Sequence, residues 1–158
     1  MAIEEVKAYF KELGMEDKVQ EFPVSSATVE LAAEALGVIP ARIAKTLSFH
    51  GETGAILVVA AGDAKVDSRK FKDAFQQKAR MLKAEEVLRM TGHPVGGVCP
   101  FVLSRGVRVY LDVSLRRFES VFPACGSGNS AIELTPDELH RYSLAEEWVD
   151  VCKGWLEG

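Results

Sequence analysis

Ile43-Ala44-Lys45-Thr46-Leu47-Ser48-Phe49-His50, then the turn Gly51-Glu52-Thr53-Gly54, then Ala55-Ile56-Leu57-Val58-Val59-Ala60-Ala61, is the stretch on which the fold turns. The first run alternates with the two-residue period of a strand. It sets Ile43, Lys45, Leu47 and Phe49 on one face and Ala44, Thr46, Ser48 and His50 on the other. The second run is apolar on both faces, as in a strand covered on both sides. Together they predict an antiparallel hairpin whose second strand is central. Lys45 is out of place in this pattern, because an ammonium among large apolar residues costs free energy unless it is paired. Either its head reaches water along the stem, or it sits in a pocket that receives an anionic or electron-rich group.

Working outward, Ile3, Val6, Phe10 and Leu13 repeat at helical spacing, and Gly14 ends the pattern. Val19 to Phe22 reads as a short strand stopped by Pro23. Ser25 or Ser26 is the expected cap of a helix carrying Val29, Leu31, Ala32, Ala35 and Leu36, closed at Gly37. Beyond the hairpin, Asp67 caps a helix through Phe71 and Phe75, and a further helix runs from Ala84 to Met90, ended at Gly92. Val107 to Asp112 alternates as a strand, and Ser114 to Phe118 makes a helical turn. Ser120 to Ala124 and Ser130 to Leu134 read as two strands joined by Gly126-Ser127-Gly128-Asn129. Thr135-Pro136-Asp137-Glu138 opens a helix with Thr as cap, Pro first inside and Glu three residues on. Glu147 to Cys152 is the expected last strand. Helices and strands mix without a regular βαβ alternation, so the fold class is α+β around a mixed sheet or barrel.

The chain's 158 residues are most simply one domain, residues 1–158, long enough to bury a core without staples. Hydrophobic residues make up 47% and no apolar run approaches a membrane span. The N-terminal segment, with Glu4, Glu5 and Lys7, is not a secretory signal. Cys99, Cys125 and Cys152 are odd in number and scattered, which predicts no disulfide framework and a reducing cytoplasm. A net charge of −4 argues against a general nucleic-acid coat. Between positions 63 and 83, however, Lys65, Arg69, Lys70, Lys72, Lys78, Arg80 and Lys83 face only Asp63, Asp67 and Asp73. This is either a solvated helix face or a local patch that steers a polyanion.

Gly92-His93-Pro94-Val95-Gly96-Gly97-Val98-Cys99-Pro100-Phe101 is the second candidate feature. Gly96-Gly97 lets the backbone approach a ligand and aim N–H groups at one acceptor, while Pro94 and Pro100 stiffen the flanks. No Lys-Ser/Thr pair follows the glycines, so it is not a phosphate-binding P-loop. His93 lies in this loop, either in contact with substrate or exposed to solvent. Cys99 would serve as a nucleophile only if a neighbour lowered its pKa. In the second glycine turn, Ser127 and Asn129 are hydrogen-bonding groups for a sugar or base, or parts of a plain hairpin turn. No His, Cys or Asp spacing suggests zinc, and no cofactor motif is present.

Together, Ile43-Ala44-Lys45-Thr46-Leu47, Gly96-Gly97-Val98-Cys99-Pro100, the run from Gly126 through Leu139, and Thr28 through Val38 resemble the YbaK/prolyl-tRNA editing-domain family. The likeness covers nearly the whole chain in order. It implies a barrel-like mixed sheet surrounded by helices, no metal, and a stand-alone trans-editing hydrolase. Such an enzyme removes a wrong small amino acid, such as Ala, Cys or Ser, from a tRNA, here tRNA-Pro. The alternative is a non-catalytic module that binds tRNA or a synthetase. The implied partners are the tRNA acceptor 3′ end and an aminoacyl-tRNA synthetase. By resemblance, Lys45, Gly96 and Gly97 are the catalytic positions. Thr46, His93, Val98, Cys99, Pro100, Gly126, Ser127, Gly128 and Asn129 are the substrate-binding positions. Two residues depart from the family pattern: Val102 stands where many members carry glycine after Pro-Phe, and Cys125 stands where a small residue is expected.

Overall fold

A computed structural model describes residues 2–155. Helix α1 (Ala2–Glu12) presents Ile3, Val6 and Phe10 to the core, where the Phe10 ring meets Phe101 edge-on at 4.9 Å. Strand β1 (Val19–Glu21) follows. Helix α2 (Val29–Leu36) is capped by Thr28, whose side chain accepts from Leu31 N–H, and it ends at Gly37 in the left-handed conformation. The expected cap at Ser25 or Ser26 is therefore displaced by two or three residues. Ser26 N–H instead donates to Gly128 O at 2.7 Å, which ties this loop to the second glycine turn.

The hairpin forms as the alternation predicts. Strands β2 (Ile43–His50) and β3 (Ala55–Ala61) pair antiparallel from Ala44↔Ala61 to His50↔Ala55. Strand β4 (Lys65–Val66), helix α3 (Ser68–Phe75) and helix α4 (Ala84–Thr91) follow. Asp67 caps α3 by accepting from Arg69 and Lys70 N–H. Next come β5 (Arg108–Asp112), a 3-10 turn at Val113–Arg117, β6 (Phe122–Pro123) and β7 (Ser130–Ile132). Helix α5 (Pro136–Ser143) has the reciprocal Thr135–Glu138 cap, and β8 (Glu147–Val149) and β9 (Cys152–Lys153) end the described chain.

Five strands make one mixed sheet in the order β6-β2-β3-β5-β8, beside two-stranded sheets β1-β7 and β4-β9. β3 is paired on both edges, antiparallel to β2 and parallel to β5. Leu57 through Ala61 are fully buried, which explains a strand with no polar face. No pairing among the described residues closes the five strands into a ring.

Two sequence expectations are corrected. The segments around the second glycine turn are not a simple hairpin. Their backbones pair at the Val121↔Leu134 bridge, Cys125 N–H donates to Ser130 Oγ at 3.2 Å, and the strands otherwise pair elsewhere, β6 with β2 and β7 with β1. The last strand is broken in two, because Val151 N–H turns to buried Asp112 Oδ1 at 2.9 Å and Val151 O accepts from Asp67 N–H at 2.8 Å.

Val102 occupies the left-handed region, at φ 52°. That conformation suits glycine, the residue the family resemblance implies there, and strains a β-branched residue. Val102→Gly is expected to relieve about 1–3 kcal/mol of strain while losing roughly 0.5–1 kcal/mol to glycine's flexibility. Thermal unfolding should show a Tm a few degrees above wild type, and a lower Tm would contradict the strain.

Candidate functional site

A cleft of about 250 Å³ opens beside β2, bordered by Ser26 to Val29, Ile43 to Leu47, Gly96, Val98 and residues of β6 and β7. Side chains from both faces of β2 border it, so it lies along the strand's edge. Two glycine-rich loops and the α2 cap meet there. Small residues allow the approach: Ala32 and Ala33 of α2 pack on Ile43 and Phe122.

Lys45 is half-buried and borders this cleft. Its Nζ donates to the carbonyl of Gly62, at 3.3 Å, and to that of Ala64. An ammonium carries three donors, so one N–H remains for a ligand. Burial pulls its pKa below the ordinary lysine value; the charges of Cys152, Asp63 and Glu30 oppose this, and Lys65 adds to it. The turn that holds the amine is itself pinned. A Cβ on Gly62 would fall 2.0 Å from Pro40 O and 2.7 Å from Val29 Cγ1, so only glycine fits. Asp63 accepts two hydrogen bonds from Arg117, at 2.6 and 3.1 Å, which hold its carboxyl below the usual range. The sequence reading missed this Gly62-Asp63-Ala64 turn; the signal was a glycine-aspartate pair directly after the apolar strand.

The diglycine divides its work. Gly96, at φ 87°, borders the cleft. Gly97 spends its N–H on Pro94 O at 2.9 Å. A Cβ on Gly97 would come within 2.7 Å of the Ser127 backbone, so this glycine lets the two loops touch. Of the residues singled out in sequence, Lys45, Thr46, Gly96 and Val98 border the cleft, and Ser26, Ala124 and Ser130 join them. Gly97, His93, Cys99, Pro100, Gly126, Ser127, Gly128 and Asn129 are not among the residues that border it.

His93 is buried rather than exposed. Its Nε2 lies 2.7 Å from Phe101 O and 3.5 Å from Cys99 Sγ, and Nδ1 has no partner among the described residues. A carbonyl can only accept, so the ring proton is on Nε2, and burial lowers the pKa. His93 thus fastens both ends of its loop. Cys99 is fully buried and its thiol is pushed up to about 12 by burial, opposite to what a thiol nucleophile needs. Asn129 Nδ2 donates to Phe22 O at 3.0 Å and Ser127 Oγ donates to Asn129 Oδ1 at 2.9 Å, so these side chains bind the loop to the segment after β1 and to itself. Cys125 is also fully buried and belongs to the core.

Two of the basic residues have partners on the strands at the chain's end. Lys70 Nζ is held by Asp150 Oδ1 at 3.1 Å and Cys152 O at 3.0 Å. Lys65 pairs across β4-β9 with Lys153 and lies close enough to Lys45 to affect its titration. Among the described residues no cluster of three or more His, Cys, Asp and Glu is placed to hold a metal, and no helix is long and apolar enough to cross a membrane.

The profile of the aminoacyl-tRNA editing domain matches residues 24–142. The uncharacterized protein YwhH of Bacillus subtilis is 58% identical over 98% of this chain and 99% of its own length. Proline–tRNA ligase of Thermotoga maritima is 34% identical over 90% of this chain, which spans only 24% of that ligase. A crystal structure of a candidate trans-editing enzyme for prolyl-tRNA synthetase superposes with a TM-score of 0.86. It is 31% identical, and the match covers 97% of this chain and 98% of the other.

Proposed function

The chain belongs to the aminoacyl-tRNA editing domain family, and from that premise we propose that it hydrolyses the ester joining a small, wrong amino acid to the 3′ end of a tRNA. The relation to proline–tRNA ligases favours tRNA-Pro as the carrier. The observation that carries this reading is the shared cleft. It brings a half-buried amine with one spare N–H beside a glycine backbone, in a space of about 250 Å³ that can take an aminoacyl group.

Aminoacyl esters are activated, so positioning and charge stabilisation suffice without a covalent nucleophile. A water oxygen adds to the ester carbonyl carbon, the bond to ribose O3′ breaks, and a proton from the water ends on O3′. The products are the free amino acid and the uncharged tRNA. Lys45 holds the terminal phosphate or the carbonyl region, and Gly96 orients the reacting groups. Side chains are sorted by exclusion at the cleft wall, which is the effective way when one methylene is worth only about 1–3 kcal/mol in binding.

A deacylation screen over tRNAs charged with alanine, cysteine, serine, threonine and proline tests this. Release of at least one small amino acid above the spontaneous rate is expected, with prolyl-tRNA-Pro spared. A panel left intact while tRNA still binds would favour the non-catalytic module.

Within the basic segment we assign the acceptor-stem contact to Lys65, which is exposed and near Lys45. Lys65→Glu is expected to raise KM for tRNA by about tenfold at low salt and to reduce the salt slope by about one. KM measured against ionic strength checks both, and an unchanged slope would remove Lys65 from the interface.

A further inference from the structure

The outer edge of β2 carries a one-residue gap. At its lower end Ile43 and Ala44 pair with Phe122 and Pro123 of β6. At its upper end His50 N–H donates to Arg80 O at 2.8 Å, and Ser48 O accepts from Leu82 N–H at 3.0 Å. Even-numbered residues therefore turn their peptide groups outward, and odd-numbered ones bond to β3. Thr46 lies between the two covered ends. Among the described residues it is the one residue of that edge with neither its N–H nor its C=O paired. Its hydroxyl, buried, also has no partner. The cleft lies against it. Among the described residues bordering that cleft, Lys45 is the one charged side chain, so no carboxylate is present to receive a cation.

From this gap we infer that the aminoacyl group docks on Thr46 as a single residue of antiparallel strand. This rests on the deacylase reading and deepens it. In a hydrogen-bonded antiparallel pair, two residues exchange both N–H···O bonds. An aminoacyl ester carries one such set, an α-ammonium donor and a carbonyl acceptor on the same carbon. The ammonium donates to Thr46 O, and the ester carbonyl accepts from Thr46 N–H. That N–H also faces the oxygen on which charge develops when water adds, so the edge serves binding and transition state together. The covered ends leave room for one residue and no more, which admits an amino acid ester and excludes a peptide. The side chain on the α-carbon then meets the cleft wall, where size is read.

Two measurements test the inference. The first compares alanyl-tRNA with propionyl-tRNA, which has hydrogen in place of the ammonium and adds no bulk. Each rate is expressed over its own spontaneous hydrolysis. The rate enhancement is expected to fall about 10–100-fold for the propionyl ester, and a change within about threefold overturns the inference. If alanyl-tRNA and the other charged tRNAs are all left intact, the deacylase reading fails first and takes this one with it. The second compares Thr46→Val with Thr46→Pro. Both remove the hydroxyl, but only proline removes the N–H, which the ladder to β3 does not use. Thr46→Pro should lose about 100-fold more kcat than Thr46→Val does, with circular dichroism unchanged. Equal losses in the two would assign the effect to the hydroxyl and overturn the main-chain role. Should Thr46→Pro fail to fold, the ester comparison on the wild-type protein still decides.

Discussion

Lys45→Ala is expected to reduce deacylation by at least about 100-fold, the cost of removing one preorganised donor from a site of developing charge, while the protein stays folded. The two effects separate because the amine's bonds are local. Removing it deprives the carbonyls of Gly62 and Ala64 of a donor. Each unpaired carbonyl costs up to about 1–3 kcal/mol when fully buried, and less here, where the cleft admits water. For a chain of this size 1 kcal/mol moves Tm by roughly 2–4 °C, so a modest drop accompanies the lost activity. Burial also works against the charged amine, since it lowers the pKa, and its removal returns part of that cost. Steady-state deacylation and a thermal melt on the same preparation measure both. Undiminished turnover with the amine gone would leave the proposed site without its cation.

Gly62→Ala should be more damaging to the fold than any other single methyl near the cleft. The new Cβ would fall 2.0 Å from Pro40 O, a backbone atom of the turn that leads into β2, and 2.7 Å from Val29 of α2. The Pro40 carbonyl cannot yield without moving the backbone of that turn. Overpacking of this kind costs about 1–3 kcal/mol, occasionally more. The stabilisation of about 0.4–1 kcal/mol that alanine brings through the unfolded chain does not offset it. The turn would shift and carry the Gly62 and Ala64 carbonyls away from Lys45, so activity falls together with stability. Gly128→Ala is the matched control, because its methyl would meet Ala27 Cβ at an ordinary 3.5 Å. Chemical denaturation of the two variants should separate them by about 2 kcal/mol or more, and equal midpoints would refute the crowding at Gly62.

Most elements were legible in the chain because their signals are short-range. The alternation of residues 43–50 and the apolar run 55–61 specify the hairpin. The caps at Asp67 and Thr135 need only residues three apart. Where reading failed, a distant group had claimed a local one. The expected strand from Glu147 to Cys152 breaks because Asp112, far along the chain, takes the Val151 N–H. The expected cap at Ser25 or Ser26 fails because Gly128 O holds that loop by the Ser26 N–H, and the helix opens later, where the Thr28 hydroxyl takes the Leu31 N–H. His93 looked like a loop residue open to substrate or solvent, and it is buried because its own loop folds back over it through Phe101 O.

What the sequence determined by itself was therefore the set of parts: a strand with one misplaced lysine, two glycine loops of left-handed or close-packed backbone, and a family likeness running through them. Periodicity, capping and glycine's freedom act over a few residues, so they are written where they act. The tertiary structure alone decided which part does what. It set Gly96 at the cleft and Gly97 against Ser127, tied the Lys45 amine to a turn seventeen residues away, and left Thr46 uncovered between β6 and residues 80–82. A gap in a sheet edge is defined by what other segments fail to cover, and no local pattern records a neighbour that stops one residue short.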